Sequence, residues 1–172
     1  MIQRVFGITG WKNSGKTTLT CRLVEEFTRR GFRIATVKHA HHLFDVDQEG
    51  TDSHRHRLAG AGEVAIVSGH RWAIMHELGD ADEPSLQDIL ARLSPCDLVL
   101  IEGYKRESHP KIEARRLAAA DRTSLADDDA NICAVAADHL VPDATIPVFA
   151  LDDISGIADM IALKTGLGET AA

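Results

Sequence analysis

Cysteine is scarce and unpaired in pattern: Cys21, Cys96 and Cys133 are odd in number and far apart, which argues against a disulfide framework and against a paired-cysteine metal site. Long apolar runs are missing as well. Nothing approaches the roughly 18 consecutive apolar residues that a membrane-crossing helix needs, and the chain runs into a strand-like segment without a signal-peptide profile. Basic residues are outnumbered, 19 against 26 acidic ones, for a formal net charge of −7, the reverse of the balance a duplex nucleic-acid binder carries. There is no internal repeat, no low-complexity linker and no visible domain boundary. The expectation is a cytoplasmic protein without nucleic acid or membrane as partner. Its 172 residues, 44% of them hydrophobic, suffice for one substantial core.

What is present centres on Gly10-Trp11-Lys12-Asn13-Ser14-Gly15-Lys16-Thr17, a glycine, an intervening spacer and then Gly-Lys-Thr. The apolar run Val5-Phe6-Gly7-Ile8 precedes it, and Leu19, Leu23, Val24 and Phe27 follow on one helical face. Strand, loop and helix in that order let backbone N–H groups and a helix N-terminus surround a polyphosphate. The predicted phosphate-binding residues are Gly10, Lys12, Asn13, Ser14, Gly15, Lys16, Thr17 and Thr18, with Lys16 on the outer phosphates and the Thr17 hydroxyl on Mg2+.

The periodicity predicts a first helix from 16 to 30 stopped by Gly31, a strand at 34–37, and a short helix from Thr51 or Asp52 to Ala61. Strands at 63–67 and 72–78 around Ser68-Gly69-His70 read as an antiparallel hairpin. A helix through Leu86, Ile89, Leu90 and Leu93 follows, then Asp97-Leu98-Val99-Leu100-Ile101-Glu102-Gly103, whose unbroken apolar run reads as a central parallel strand. Lys111 to Arg115, Ile132 to Ala136 and Ile146 to Ala150 complete the strands, Asp127-Asp128-Asp129 reads as a solvated loop, and Ile154 to Ala162 form the last helical face. The predicted fold class is α/β, a P-loop NTPase three-layer sandwich: a mostly parallel sheet with an antiparallel hairpin and helices on both faces. Residues 1–165 are expected to form a single nucleotide-binding domain and 166–172 a flexible tail.

Glu102, ending the most apolar strand, stands where phosphate-loop proteins keep an acid for magnesium. The plainer alternative is a solvated residue after a strand. Gly103 would let the backbone pass close to the terminal phosphate. Asp45 and Asp47 follow the second strand beside His39, His41 and His42, and three readings stay open there: a phosphate or magnesium contact by Asp45, a solvated loop, or a transition-metal site. In Val135-Ala136-Ala137-Asp138 only the acid remains of an Asn-Lys-x-Asp guanine signature, so Asp138 is either the base reader or a strand-end cap.

Taken together, the phosphate loop through Thr18-Leu19, Val37-Lys38-His39-Ala40-His41-His42, Asp45-Val46-Asp47, Gly50-Thr51-Asp52-Ser53, Ala59-Gly60-Ala61 and Leu100-Ile101-Glu102-Gly103-Tyr104-Lys105 resemble the molybdopterin-guanine dinucleotide biosynthesis adapter family, MobB. The resemblance spans roughly residues 3 to 150. It implies a dimeric GTP-binding protein with weak GTPase activity that works with Mg2+ beside the guanylyltransferase MobA, which joins GMP to molybdopterin. By the same resemblance Gly15, Lys16, Thr17 and Thr18 bind phosphate, and Thr17 with Glu102 coordinates magnesium. One departure stands out: some dimerising relatives place a second lysine directly after the first loop glycine, and here Trp11 holds that position, with Lys12 one later.

Lys105, Arg106 and Lys111 lie in a basic stretch directly after Glu102-Gly103, as either a solvated face or a contact to the partner or a pterin phosphate. Three functions compete. An adapter holds GTP and magnesium and assists a cofactor-assembling enzyme. A small-molecule kinase would use the arginines of 104–116 as a lid. A metallochaperone GTPase would use the histidines.

Overall fold

The computed structural model describes residues 4–40 and 44–168. His41 and His42 of the histidine cluster, and 169–172 of the expected tail, lie outside the described residues.

The chain divides into two compact units, one comprising Met1–His39 and Leu93–Ala172, the other Ala40–Arg92. In the first, the apolar run before the phosphate loop is strand β1 (Val5–Thr9), and the amphipathic stretch after it is helix α1 (Lys16–Arg29). Helix α1 buries Leu19, Leu23 and Phe27 and ends before Gly31, whose φ of 90° suits a residue without a side chain. Strand β2 (Ile34–Lys38) extends one residue beyond the apolar run, because Lys38 still pairs in register with Glu102.

The second unit holds α2 (Asp52–Leu58), the hairpin strands β3 (Glu63–Val67) and β4 (Trp72–His76), and α3 (Leu86–Arg92). Thr51 caps α2 by accepting from the His54 N–H. Antiparallel pairing of β3 with β4 sets Val67 opposite Trp72 and Ala65 opposite Ile74. Arg57 ties the preceding loop to α2, with ion pairs of 2.8 Å to Asp45 and 2.9 Å to Asp47.

Back in the first unit come β5 (Leu98–Glu102), β6 (Lys111–Arg115), β7 (Ile132–Ala137), β8 (Val148–Ala150) and α4 (Ile154–Thr165). The six-stranded sheet runs β2-β5-β1-β6-β7-β8, with every neighbouring pair parallel. Strand β5 is buried throughout, as an unbroken apolar run requires. Helices α1 and α4 share one core with the sheet, where Phe6, Leu23, Phe27, Leu100, Ile157 and Ile161 are all fully enclosed. The chain still contributes to that core past the end of α4: Gly166 caps the helix in the left-handed region and Leu167 is buried, so the expected tail does not begin at Gly166.

Strand β6 lies where the sequence reading puts it, but its Lys111 side chain departs from that reading. Lys111 is 0% exposed and ion-pairs with Asp129, while its ammonium also donates to the Lys105 carbonyl at 3.1 Å. It therefore cannot face a partner or a pterin phosphate; Asp127 and Asp128 are exposed, as a solvated loop requires, while Asp129 turns inward to pair with it.

Candidate functional site

The strand order places β1 between β5 and β6; the connection after β1 runs to the β2 edge while the connection after β5 runs the opposite way to β6, and ligands of open α/β sheets bind beyond the carboxyl ends at such a point. There the chain forms the phosphate loop. Gly10 has a φ of 142°, and a Cβ on it would meet the Ser14 Oγ at 2.4 Å and the Ala114 carbonyl at 2.5 Å, so no other residue fits. Asn13 also adopts a positive φ, 63°, which asparagine tolerates better than most side chains. Gly15 is the N-cap of α1 at φ 93°, and no side chain caps the helix. Its first N–H groups, which lack intrahelical partners, are thus left for an anion. The Ser14 Oγ is buried and has no hydrogen-bond partner among the described residues.

Lys16 folds back so that its ammonium donates to the Trp11 carbonyl at 2.6 Å. Desolvation pulls its pKa below the ordinary lysine value, Glu102 opposes this, and Lys105 and Lys38 add to the lowering. The Thr17 hydroxyl donates to Glu102 Oε1 at 2.9 Å, and the Lys38 ammonium lies 3.3 Å from the same oxygen. Hydroxyl and carboxylate thus converge at the start of α1, and hard oxygen donors of this kind are what magnesium takes. The residues fit the ion. It would be held by Thr17 and Glu102 and would supply charge neutralisation to bound phosphates.

Asp45 sits in the second unit, where Arg57 occupies its carboxylate. Among the described residues no group of three or more His, Cys, Asp or Glu side chains could hold a metal ion. His39 stacks on Tyr104 with ring centroids 4.6 Å apart.

On the other side of the loop, a cavity of about 990 Å³ opens between Gly15 and Thr18 on α1 and the segment Asp138 to Val141 after β7. Asp138 reaches this cavity, yet also caps. Its Oδ1 accepts from the His139 ring and from the Leu117 N–H, each at 2.9 Å, and Arg116 lies 3.5 Å from Oδ2. The His139 and Leu117 hydrogen bonds hold its carboxyl below the usual carboxylate range. Arg22 and Arg116 also line the cavity.

Sequence reasoning gave no site role to Lys38 or Arg22, and took Arg116 only as one of the arginines of 104–116 that a kinase lid would use. Lys38 had a legible signal, a cation ending the strand that neighbours β5. Arg22 was visible only as an exposed position one turn beyond Thr18 on α1. Nothing local in the sequence placed Arg116 at the phosphate loop: it follows β6, whose pairing with β1 brings it over Gly15, where its Cδ would lie 3.0 Å from an added Cβ. Of the basic stretch, Lys105 lies against the phosphate loop, its ammonium 3.7 Å from the centroid of the Trp11 ring, while Arg106 is exposed.

The family model of molybdopterin guanine dinucleotide synthesis protein B matches residues 5–138. The molybdopterin-guanine dinucleotide biosynthesis adapter protein of Escherichia coli (strain K12) is 37% identical over 160 residues, covering 91% of this chain and 90% of that protein. Its namesake from Haemophilus influenzae is 44% identical over 115 residues, 65% of this chain and 63% of that one. Among solved structures, a MobB protein homolog from Bacillus stearothermophilus superposes with a TM-score of 0.71 at 29% identity, covering 94% of this chain and 99% of that one. Bacillus subtilis MobB, at 24% identity, shares the fold with a TM-score of 0.75, covering 94% of this chain and 98% of that one. The matched span runs from β1 through Asp138 and so takes in the phosphate loop, the Thr17–Glu102 pair and the strand end beside the cavity; the chain belongs to the MobB family.

Proposed function

We propose that this protein is a GTP-binding adapter in molybdenum cofactor biosynthesis, acting where GMP is attached to molybdopterin, beside a MobA-type guanylyltransferase. The observation that carries the reading is the Thr17 hydroxyl on the Glu102 carboxylate at the mouth of an uncapped helix, next to a cavity of nucleotide size. In it the loop from Gly10 to Thr18 holds the triphosphate, and Thr17 with Glu102 holds Mg2+. Asp45, released from Arg57, is the remaining candidate ligand. Asp138 accepts the guanine N–H groups in place of His139 and Arg116, and the cavity takes base and ribose. GTP hydrolysis is slow and secondary to binding. Arg106, exposed on the segment after Glu102, is left as the partner or pterin contact. The protein works in the cytoplasm as a homodimer; among the described residues no helix is long and apolar enough to cross a membrane.

Calorimetric titration with GTP and with ATP, each with magnesium, tests this on the parent and on Lys16→Ala. The expected result is GTP preference in the parent and at least about a hundredfold weaker binding in the variant, since a charge-assisted phosphate contact contributes about 3 kcal/mol. Equal or tighter binding of ATP would remove the guanine reading.

A further inference from the structure

Lys105 is a half-buried cation without an ion-pair partner among the described residues. Among the described residues, no carboxylate or carbonyl takes a hydrogen bond from its ammonium, which instead lies over the Trp11 indole at 3.7 Å from the ring centroid. Burial is the main cause pulling its pKa down, with the charges of Asp121 and Glu113 opposing. The residue is also built into place. Its carbonyl accepts from the buried Lys111 ammonium at 3.1 Å, and the Trp11 indole N–H donates to the Thr123 carbonyl at 2.7 Å, which fixes the ring. Trp11 is itself part of the phosphate loop, and its own carbonyl holds the Lys16 ammonium at 2.6 Å. Two lysines thus flank one loop residue, and Lys105 is close enough to lower the pKa of Lys16.

We infer that Lys105, positioned by the Trp11 ring, is a second phosphate cation supplied by the same chain, and that it reads the terminal phosphate of a bound nucleoside triphosphate. The inference rests on the nucleotide-binding reading and deepens it. A lysine in an exposed partner surface would gain nothing from partial burial without a counter-ion, whereas a cation left unpaired beside a phosphate cradle finds its partner when the ligand arrives. The aromatic face suits a waiting ammonium because it attracts the charge without neutralising it, as a carboxylate would. Lys105 lies three residues past Glu102, in the turn that follows β5. Tyr104 between them carries a positive φ of 47°, a conformation uncommon for a non-glycine residue.

The test is calorimetry with GTP and with GDP, both with magnesium, on the parent, Lys105→Ala, Lys105→Met, Trp11→Ala and Trp11→Phe. Lys105→Ala and Lys105→Met are expected to weaken GTP about tenfold or more and GDP less than about threefold, the loss of one charge-assisted contact. Methionine keeps an apolar stem on the indole, so an equal loss of both nucleotides there would overturn the inference. Trp11→Ala should lower the GTP-to-GDP preference, and Trp11→Phe, which keeps a ring face, should restore most of it. Parent-like preference in Lys105→Ala would overturn the inference and leave nucleotide binding standing. A parent that binds neither nucleotide would overturn both.

Discussion

His109 is packed with both ring nitrogens buried and, among the described residues, without a hydrogen-bond partner, so close to β1 that a Cβ on Gly7 would lie 2.5 Å from its Nε2. Burial first, then the nearby Lys111 ammonium, push its pKa down to about 4, against the opposing pull of Asp129. The folded state therefore holds this ring neutral, while the unfolded chain protonates it near pH 6.5. Because the unfolded state binds the extra proton, stability is fully present above about pH 6.5 and falls as pH is lowered towards 4, with a slope of at most one proton. Urea denaturation at several pH values should show that slope in the parent and lose it in His109→Leu. An unchanged slope would mean that other groups carry it. Nothing in the sequence separated His109 from the basic stretch around it, since its meaning comes from a glycine in another strand. Lys16, Thr17 and Glu102, in contrast, were legible from local spacing, because phosphate chemistry demands those residue types in that order.

Strand β6 and the connection after it form one element held together by buried charge. Glu113, 0% exposed, accepts from the Leu125 and Ala126 N–H groups, each at 3.0 Å, and from Arg115 at 2.7 Å, while Lys111 takes Asp129. A polar stretch that looks solvated in sequence is thus fastened to the sheet centre, and it carries Thr123, the acceptor of the Trp11 indole. Asp129→Ala leaves Lys111 buried without its anion, which should cost about 3 kcal/mol. Lys111→Met in the same background should recover most of that loss, since an apolar side chain of similar volume needs no partner. Thermal and urea unfolding of the single and double variants measure both numbers. If the double variant is no more stable than Asp129→Ala, the cost belongs to the loop and not to the stranded charge.

At the scale of the whole molecule, a net charge of −7 coexists with Lys16, Lys38, Lys105, Arg22 and Arg116 around one sheet end. A polyanion is drawn to that end against the overall sign of the protein. The β3–β4 hairpin carries the other unbalanced surface, one face with Val67 at 76%, Trp72 at 68% and Ile74 at 56% exposure. In the homodimer proposed above this face is the expected contact, and Trp72→Lys with Ile74→Lys should then leave only monomer in sedimentation equilibrium. A double variant that stays dimeric would move the interface elsewhere.

The sequence by itself determined the phosphate loop, the buried strand ending at Glu102, the hairpin and the α/β class. Each of these is written in local periodicity or in residue types that one chemistry requires, and neighbours along the chain suffice to read it. Only the tertiary structure decided that Lys111 is buried, that Asp129 answers it, that Asp138 is already hydrogen-bonded, and that Lys105 rests on Trp11. Those facts depend on which strand lies beside which. A charge is exposed or buried, paired or waiting, according to the neighbours that folding brings from distant parts of the chain.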